Sequence, residues 1–133
     1  MKKRIEVVGA VFVRDGLVLA ARRGPDKALP GLWEFPGGKI ESGETAEQAL
    51  QRELAEELKV DVRIGDFLTT TDHEYDFGII SLSTYFVELM DSEPELTEHV
   101  AIRWLSQAEL FDVDWAPADI PAVELIAARI RAT

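Results

Sequence analysis

The stretch Gly38–Val60, GKIESGETAEQALQRELAEELKV, constrains this chain more than any other part of it. It sets Gly38, Glu44, Arg52, Glu53, Glu56 and Glu57 at fixed offsets, as a glycine loop leading into a helix. Thr45-Ala46-Glu47-Gln48 has the pattern of a capping box, in which the Thr hydroxyl and the Gln side chain satisfy free backbone donors, so the helix is predicted to begin at Thr45. Ala46, Leu50, Leu54 and Leu58 then recur every four residues and form an apolar stripe that can be buried. Glu53, Glu56 and Glu57 are related as i, i+3 and i+4, so they share a face beside that stripe, at the edge of a core.

Like charges at helical spacing repel by about 0.2–0.5 kcal/mol per pair, a cost that a solvated helix tolerates and that a bound cation would reverse. Magnesium is hard, prefers oxygen ligands and binds through carboxylates together with substrate phosphates. The chain has no cysteine and only two histidines, His73 and His99, which argues against a zinc or iron site built on soft ligands. Upstream, Pro36-Gly37-Gly38 is expected to be a loop whose two glycines allow close backbone approach and positive φ, so that their carbonyls or amides face a metal or a phosphate. Arg52, one turn before Glu56, can clamp a carboxylate with two hydrogen bonds; it is expected to organise the site, with Glu44 as a partner.

Gly38, five residues, Glu44, seven residues, then Arg52-Glu53-Leu54-Ala55-Glu56-Glu57-Leu58-Lys59-Val60 resembles the Nudix box. Every charged position of that signature matches. Lys59 departs from it, standing where the family pattern usually has glycine, and a changed helix end is expected there. The bland alternative is a surface amphipathic helix rich in Glu.

At 133 residues the chain is expected to be one domain, residues 1–133, with a core that removes about two thirds of its unfolded surface from water. A formal charge of −11 argues against nonspecific binding to nucleic acid polymers or to anionic membranes, but not against a small phosphate substrate beside a metal. Without cysteine there are no disulfides. Met1-Lys2-Lys3-Arg4 and the apolar run Ile5–Val13 superficially look like a signal peptide, but Glu6 interrupts the run and it is too short to span a bilayer. It is read as a strand, in a cytoplasmic monomer or homodimer.

Arg4–Val13 and Leu17–Ala21 flank Asp15-Gly16, a hairpin signal. Arg23–Gly31 reads as a loop, Trp33–Phe35 as a short strand, and Val60–Thr70, Gly78–Glu88 and Ala101–Leu105 as further strands. Asp91–Thr97 reads as a polar loop. Ser106–Glu109 is a second capping box, opening a short helix. A last helix is expected from about Ile120 to Ala132, its buried face marked by Val123, Ile126, Ala127 and Ile130. Strands and helices mixed in this way imply an α+β arrangement, a mixed sheet between helices. The Nudix resemblance implies the same α/β/α sandwich.

Beyond the box, Leu32–Lys39, Glu98-His99 with Trp104, and Ala116–Pro121 resemble the MutT-type branch of the family. The last segment is similar to bacterial CTP pyrophosphohydrolases and, more loosely, to oxidised-dGTP diphosphatases. That resemblance implies a nucleoside triphosphate split into monophosphate and pyrophosphate with Mg²⁺, or Mn²⁺, as cofactor. It implies metal ligands in Glu53, Glu56 and Glu57, with the Gly37 or Gly38 carbonyl and Glu98. Glu53 or Glu98 would be the general base. Glu98 also reads as an ordinary loop glutamate in the acidic run with Glu93 and Glu95. His99 reads as structural or exposed, and His73 as a loop residue.

By resemblance Asp119 lies where the base edge is read, with Glu34 as a companion; it is equally well placed to cap the last helix. An ionised carboxylate only accepts hydrogen bonds, so it would favour an amino group or the donors of a guanine edge. Trp33 and Phe35 could stack on a base, although at least one should be core, and Phe77 is a further stacking candidate. Arg22 and Arg23, at a strand end, could snorkel as surface residues or bind phosphate oxygens, and the resemblance favours Arg23 as the phosphate binder. The predicted chemistry is attack of water at phosphorus, dominated by positioning and electrostatics. Two rival readings are a hydrolase of nucleotide sugars or ADP-ribose, which would release no free pyrophosphate, and a non-catalytic domain that senses a nucleotide.

Overall fold

The structure is a computed structural model that describes residues 2–132, apart from Asp91, Leu96 and Glu98 and apart from the side chains of residues 129–132. Glu98 and the Ile130 side chain, both expected to matter, lie outside the described residues.

Strands β1 (Arg4–Arg14) and β2 (Leu17–Arg22) form the predicted hairpin. Asp15 and Gly16 turn it with φ of 52° and 76°, both positive as a type I′ turn requires. Only Val13 and Arg14 pair across to Val18 and Leu17 before the two strands part. One segment fills the wedge between them. Its first part, β3 (Trp33–Glu34), pairs with β2, and its second, β4 (Gly37–Lys39), pairs with β1. The expected glycine loop is therefore a strand. A Cβ on Gly37 would run into the Val8 carbonyl, so glycine serves here for close strand approach and not for positive φ.

On its other edge β1 runs parallel to β6 (Gly78–Leu89), and β6 pairs antiparallel with the edge strand β5 (Val62–Tyr75). Strand β5 continues past the predicted end at Thr70, because its polar residues keep pairing with β6 as far as Tyr75 and Gly78. His73 is thus a strand residue, its ring centroid 4.6 Å from that of Tyr75. Strand β7 (Ala101–Leu105) covers the outer edge of β2.

Helix α1 (Ala46–Leu58) packs on one face of the sheet and α2 (Ile120–Ala132) belongs to the other. Under α1, Leu50, Leu54 and Leu58 meet Val8, Ala10, Phe12 and Leu19. On the opposite face, Val123, Ile126 and Ala127 meet Val11, Val18 and Ala20. Strand β1 feeds both cores by alternation, which explains its nearly continuous apolar run. The result is the expected mixed sheet between helices.

The capping box of α1 is formed: the Gln48 N–H donates to Thr45 Oγ1 at 3.1 Å and the Thr45 N–H to Gln48 Oε1 at 2.9 Å. At the other end Lys59 adopts φ 57° and ψ 39°, the left-handed conformation that glycine takes more cheaply. The second capping box closes only a 3-10 turn, Gln107–Glu109.

Candidate functional site

Arg52 straps the start of α1 to the strand before it. Its Nε and Nη2 donate to the two oxygens of Glu44 at 2.7 and 2.9 Å, its Nη1 to Glu53 Oε1 at 2.7 Å, and its Nη2 also to the Lys39 carbonyl at 3.1 Å. Glu44 Oε1 further accepts from the Glu41 N–H at 2.9 Å. The guanidinium, and then that backbone donor, hold the Glu44 carboxyl down to about 2, and the same contacts raise Arg52. The predicted clamp is present, with Glu44 as its partner.

Glu53 is thereby turned over the glycines. A Cβ on Gly38 would overlap the Glu53 carboxylate, so glycine is what lets the acid lie against β4. Gly37, Gly38, Glu53 and Glu57 all line one cleft of about 650 Å³. Glu56 does not: its side chain is 61% exposed, and it makes only a 3.5 Å ion pair with Arg52 Nη1. Among the described residues no three His, Cys, Asp or Glu side chains form a ready metal cage. The donors that do meet in the cleft are carboxylate and backbone oxygens beside a cradle that a Cβ would fill, which suits a hard divalent cation.

The other end of the cleft is assembled from distant segments. Glu34 Oε1 takes an ion pair from Arg23 Nη1 at 2.7 Å, and Glu34 Oε2 meets His99 Nε2 at 2.8 Å. Arg23 Nε is bound to the Ala28 carbonyl, so its head is held by protein contacts on two sides. Phe35 is the core member of the Trp33/Phe35 pair: it is 3% exposed and its ring centroid lies 4.9 Å from that of Trp115, so it walls the cleft and offers no free face.

Asp119 is 5% exposed, and its Oδ2 accepts from the Phe35 N–H at 2.9 Å. It sits in the 3-10 turn Pro117–Asp119 ahead of α2, with its carboxyl directed to another strand in place of the helix-cap role. Burial pushes that carboxyl well above the ordinary aspartate range, and the Phe35 N–H only partly opposes this. Phe77, half exposed, stacks on Tyr75 at 5.2 Å with the planes 5° apart, and the Tyr75 hydroxyl accepts from the Ala118 N–H at 2.9 Å. Tyr75, Phe77 and Asp119 line the same cleft as Glu53 and Glu57.

The profile of the NUDIX domain family matches residues 2–126. The chain belongs to the Nudix family. It is a hydrolase, and Nudix hydrolases generally use divalent metal ions and act on small nucleotide substrates. This Nudix chain is 41% identical over 122 residues to the CTP pyrophosphohydrolase of Escherichia coli K12, covering 92% of this chain and 90% of that protein. It is 34% identical to the 8-oxo-dGTP diphosphatase of the same organism, over 92% of this chain and 95% of that one. The solution structure of the Nudix-family MutT protein of methicillin-resistant Staphylococcus aureus 252 superposes with a TM-score of 0.80 at 53% identity, over 97% of this chain and 99% of that chain. No helix among the described residues is long and apolar enough to cross a membrane.

His99, read as structural or exposed, is buried between Glu34 and Glu57, which fits the structural alternative. One residue of this Nudix cleft escaped the sequence reading. Tyr75 drew no notice in a polar run, although the spacing Tyr75-x-Phe77 at a hairpin end could have flagged paired aromatics.

Proposed function

We propose that this Nudix hydrolase is a nucleoside triphosphate pyrophosphohydrolase, acting as one domain over residues 1–133 and dependent on Mg²⁺ or Mn²⁺. It converts (d)NTP and water to (d)NMP and pyrophosphate. The favoured substrates are (d)CTP and modified cytidine nucleotides, or oxidised dGTP such as 8-oxo-dGTP. The observation that carries this reading is a single cleft with the Glu53–Glu57 carboxylates at one end and Asp119 with Phe77 at the other. The names of the two Escherichia coli relatives support the substrate class.

Glu53 and Glu57 would hold the cation, with the Gly37 or Gly38 carbonyl beside them and Glu98 as a further ligand. When bound, the cation supplies charge neutralisation on the phosphates and lowers the pKa of water. Glu56 would be a third carboxylate ligand, reaching the cation from the exposed side. Glu53 takes the proton from the attacking water in this reading, with Glu98 as the other candidate base. Arg52 and Glu44 fix the Glu53 carboxylate against Gly38, so that positioning precedes chemistry. Arg23, oriented by Glu34, is set to meet phosphate or base oxygens.

Asp119 bears on base choice without fixing it. A carboxyl kept neutral by burial can donate as well as accept, so it can pair with a purine carbonyl; once ionised it favours the cytosine amino group. The enzyme is read as cytoplasmic and as a monomer or homodimer. The test is a panel of CTP, 5-methyl-dCTP and 8-oxo-dGTP with Mg²⁺, with kcat/KM and products followed together. Monophosphate and pyrophosphate are expected. Release of orthophosphate, or turnover only of nucleotide sugars or ADP-ribose, would replace the proposal.

A further inference from the structure

His99 has 6% of its side chain exposed and plays no part in the reaction as outlined above. It lies between two carboxylates. Its Nε2 is 2.8 Å from Glu34 Oε2, and its Nδ1 is 3.9 Å from Glu57 Oε2. The second separation is beyond hydrogen-bond length, and among the described residues Nδ1 has no hydrogen-bond partner.

The proton on the ring can be assigned from chemistry. Glu34 is in ion-pair contact with Arg23, and carboxylate oxygens only accept. At 2.8 Å the ring must therefore donate through Nε2–H, since a bare Nε2 lone pair would face an acceptor. Nδ1 is the ring edge that faces Glu57. The opposite tautomer would bring two acceptors together at Glu34 and draw Nδ1–H onto the Glu57 carboxylate.

We propose that His99 is a positioning residue that braces Glu34, and through it Arg23. The Arg23–Glu34–His99 chain then ties one end of the cleft to the wall beside Glu57. His99 holds the two ends in one frame. This inference rests on the nucleotide-hydrolase reading for its kinetic consequence but not for its chemistry.

Two measurements test it. Ring ¹⁵N NMR of the full chain reports the tautomer directly, and with only two histidines a His73→Asn variant assigns the signals. A proton on Nε2 is expected in the native protein, whether or not Nδ1 also carries one. A native ring with Nε2 unprotonated overturns the proposal, and this readout stands even if no triphosphate is turned over. Kinetics supply the second arm. His99→Leu is expected to lower kcat/KM by about 10- to 100-fold, mostly through KM, because Arg23 loses its brace. His99→Gln, which keeps an N–H near the Nε2 position, should recover to within about threefold of the native value. In a Glu34→Gln background His99→Leu should cost less than about twofold more, since the brace is already gone. Equal losses in the Leu and Gln variants, or additive effects with Glu34→Gln, would mark His99 as simple packing. An inactive native protein would instead count against the nucleotide reading and leave the tautomer result to decide this one.

Discussion

Arg52 reaches Glu53, Glu44 and the Lys39 carbonyl across 1, 8 and 13 residues of chain, whereas Glu34 meets His99 across 65 and Phe35 meets Asp119 across 84. The two ends of one cleft are thus made in different ways. The carboxylate end is a local device: a short strand, a turn and the first turns of a helix, strapped by one guanidinium. The recognition end exists only once β2, β3, the β5–β6 hairpin and the approach to α2 have come together. The local end tolerates changes elsewhere in the fold. The distant end depends on strand pairing.

The sharpest way to break this contrast is Glu57→Gln. It removes one carboxylate charge from the local end and should reduce turnover by about 10³-fold with the fold intact by circular dichroism. Unchanged turnover would discard the assignment of that end as the metal site. Next come the two glycines. Gly38→Ala places a methyl group against the flexible end of Glu53, so kcat/KM should fall by about 10- to 100-fold with little loss of stability. Gly37→Ala meets the Val8 backbone and should instead show as a lower Tm. If both variants lost only activity, β4 would be less tightly paired than the contacts indicate.

The recognition end is probed by pH. The Asp119 carboxyl is raised in the folded state, so its contribution to stability is fully present below the ordinary aspartate pKa and is lost as pH rises through the raised value. Asp119→Asn can still accept from the Phe35 N–H and carries no charge to bury. The variant should therefore melt higher than the native protein at neutral pH, with the gap closing in acid. A gap that widened in acid would show that Asp119 is ionised and stabilised in place. Glu44 behaves oppositely: the stability its clamp contributes is present above the ordinary glutamate pKa and is lost as pH falls towards about 2.

The smallest effect concerns the end of α1. Lys59→Gly relieves a left-handed lysine worth about 1–2 kcal/mol of strain but loosens the unfolded chain, for a net gain of about 0.5–1 kcal/mol by denaturant titration. Activity should not change.

The same contrast governs what could be read ahead of the structure. The helix, its Thr45–Gln48 box and the Arg52–Glu44 clamp follow from offsets of three, four and eight residues, and they were found as expected. The hairpin turn at Asp15-Gly16 was equally legible, because positive φ at two successive residues has few sequence solutions. Strand β4 was not. Two glycines carry no apolar alternation, and only the partner β1 makes them a strand. His73 and the end of β5 were missed for a related reason, since the alternating burial there falls on polar residues and leaves no apolar period-two pattern in the sequence. Glu56 matched the signature, and its side chain is exposed beside Arg52, a degree of burial that i, i+3, i+4 spacing does not resolve.

By itself the amino-acid sequence determined the acidic helix, its cap, its buried stripe and the arginine that steadies it, because each depends on neighbours within a few turns of chain. It also carried enough of a long signature to name the family. Only the tertiary structure decided that Phe35 is wall and not platform, that Asp119 is buried beneath a strand amide, and that His99 stands between Glu34 and Glu57. Those facts depend on which distant segments a sheet brings together and how much water they exclude. Burial and long-range contact are properties of the packed chain, not of any stretch of it.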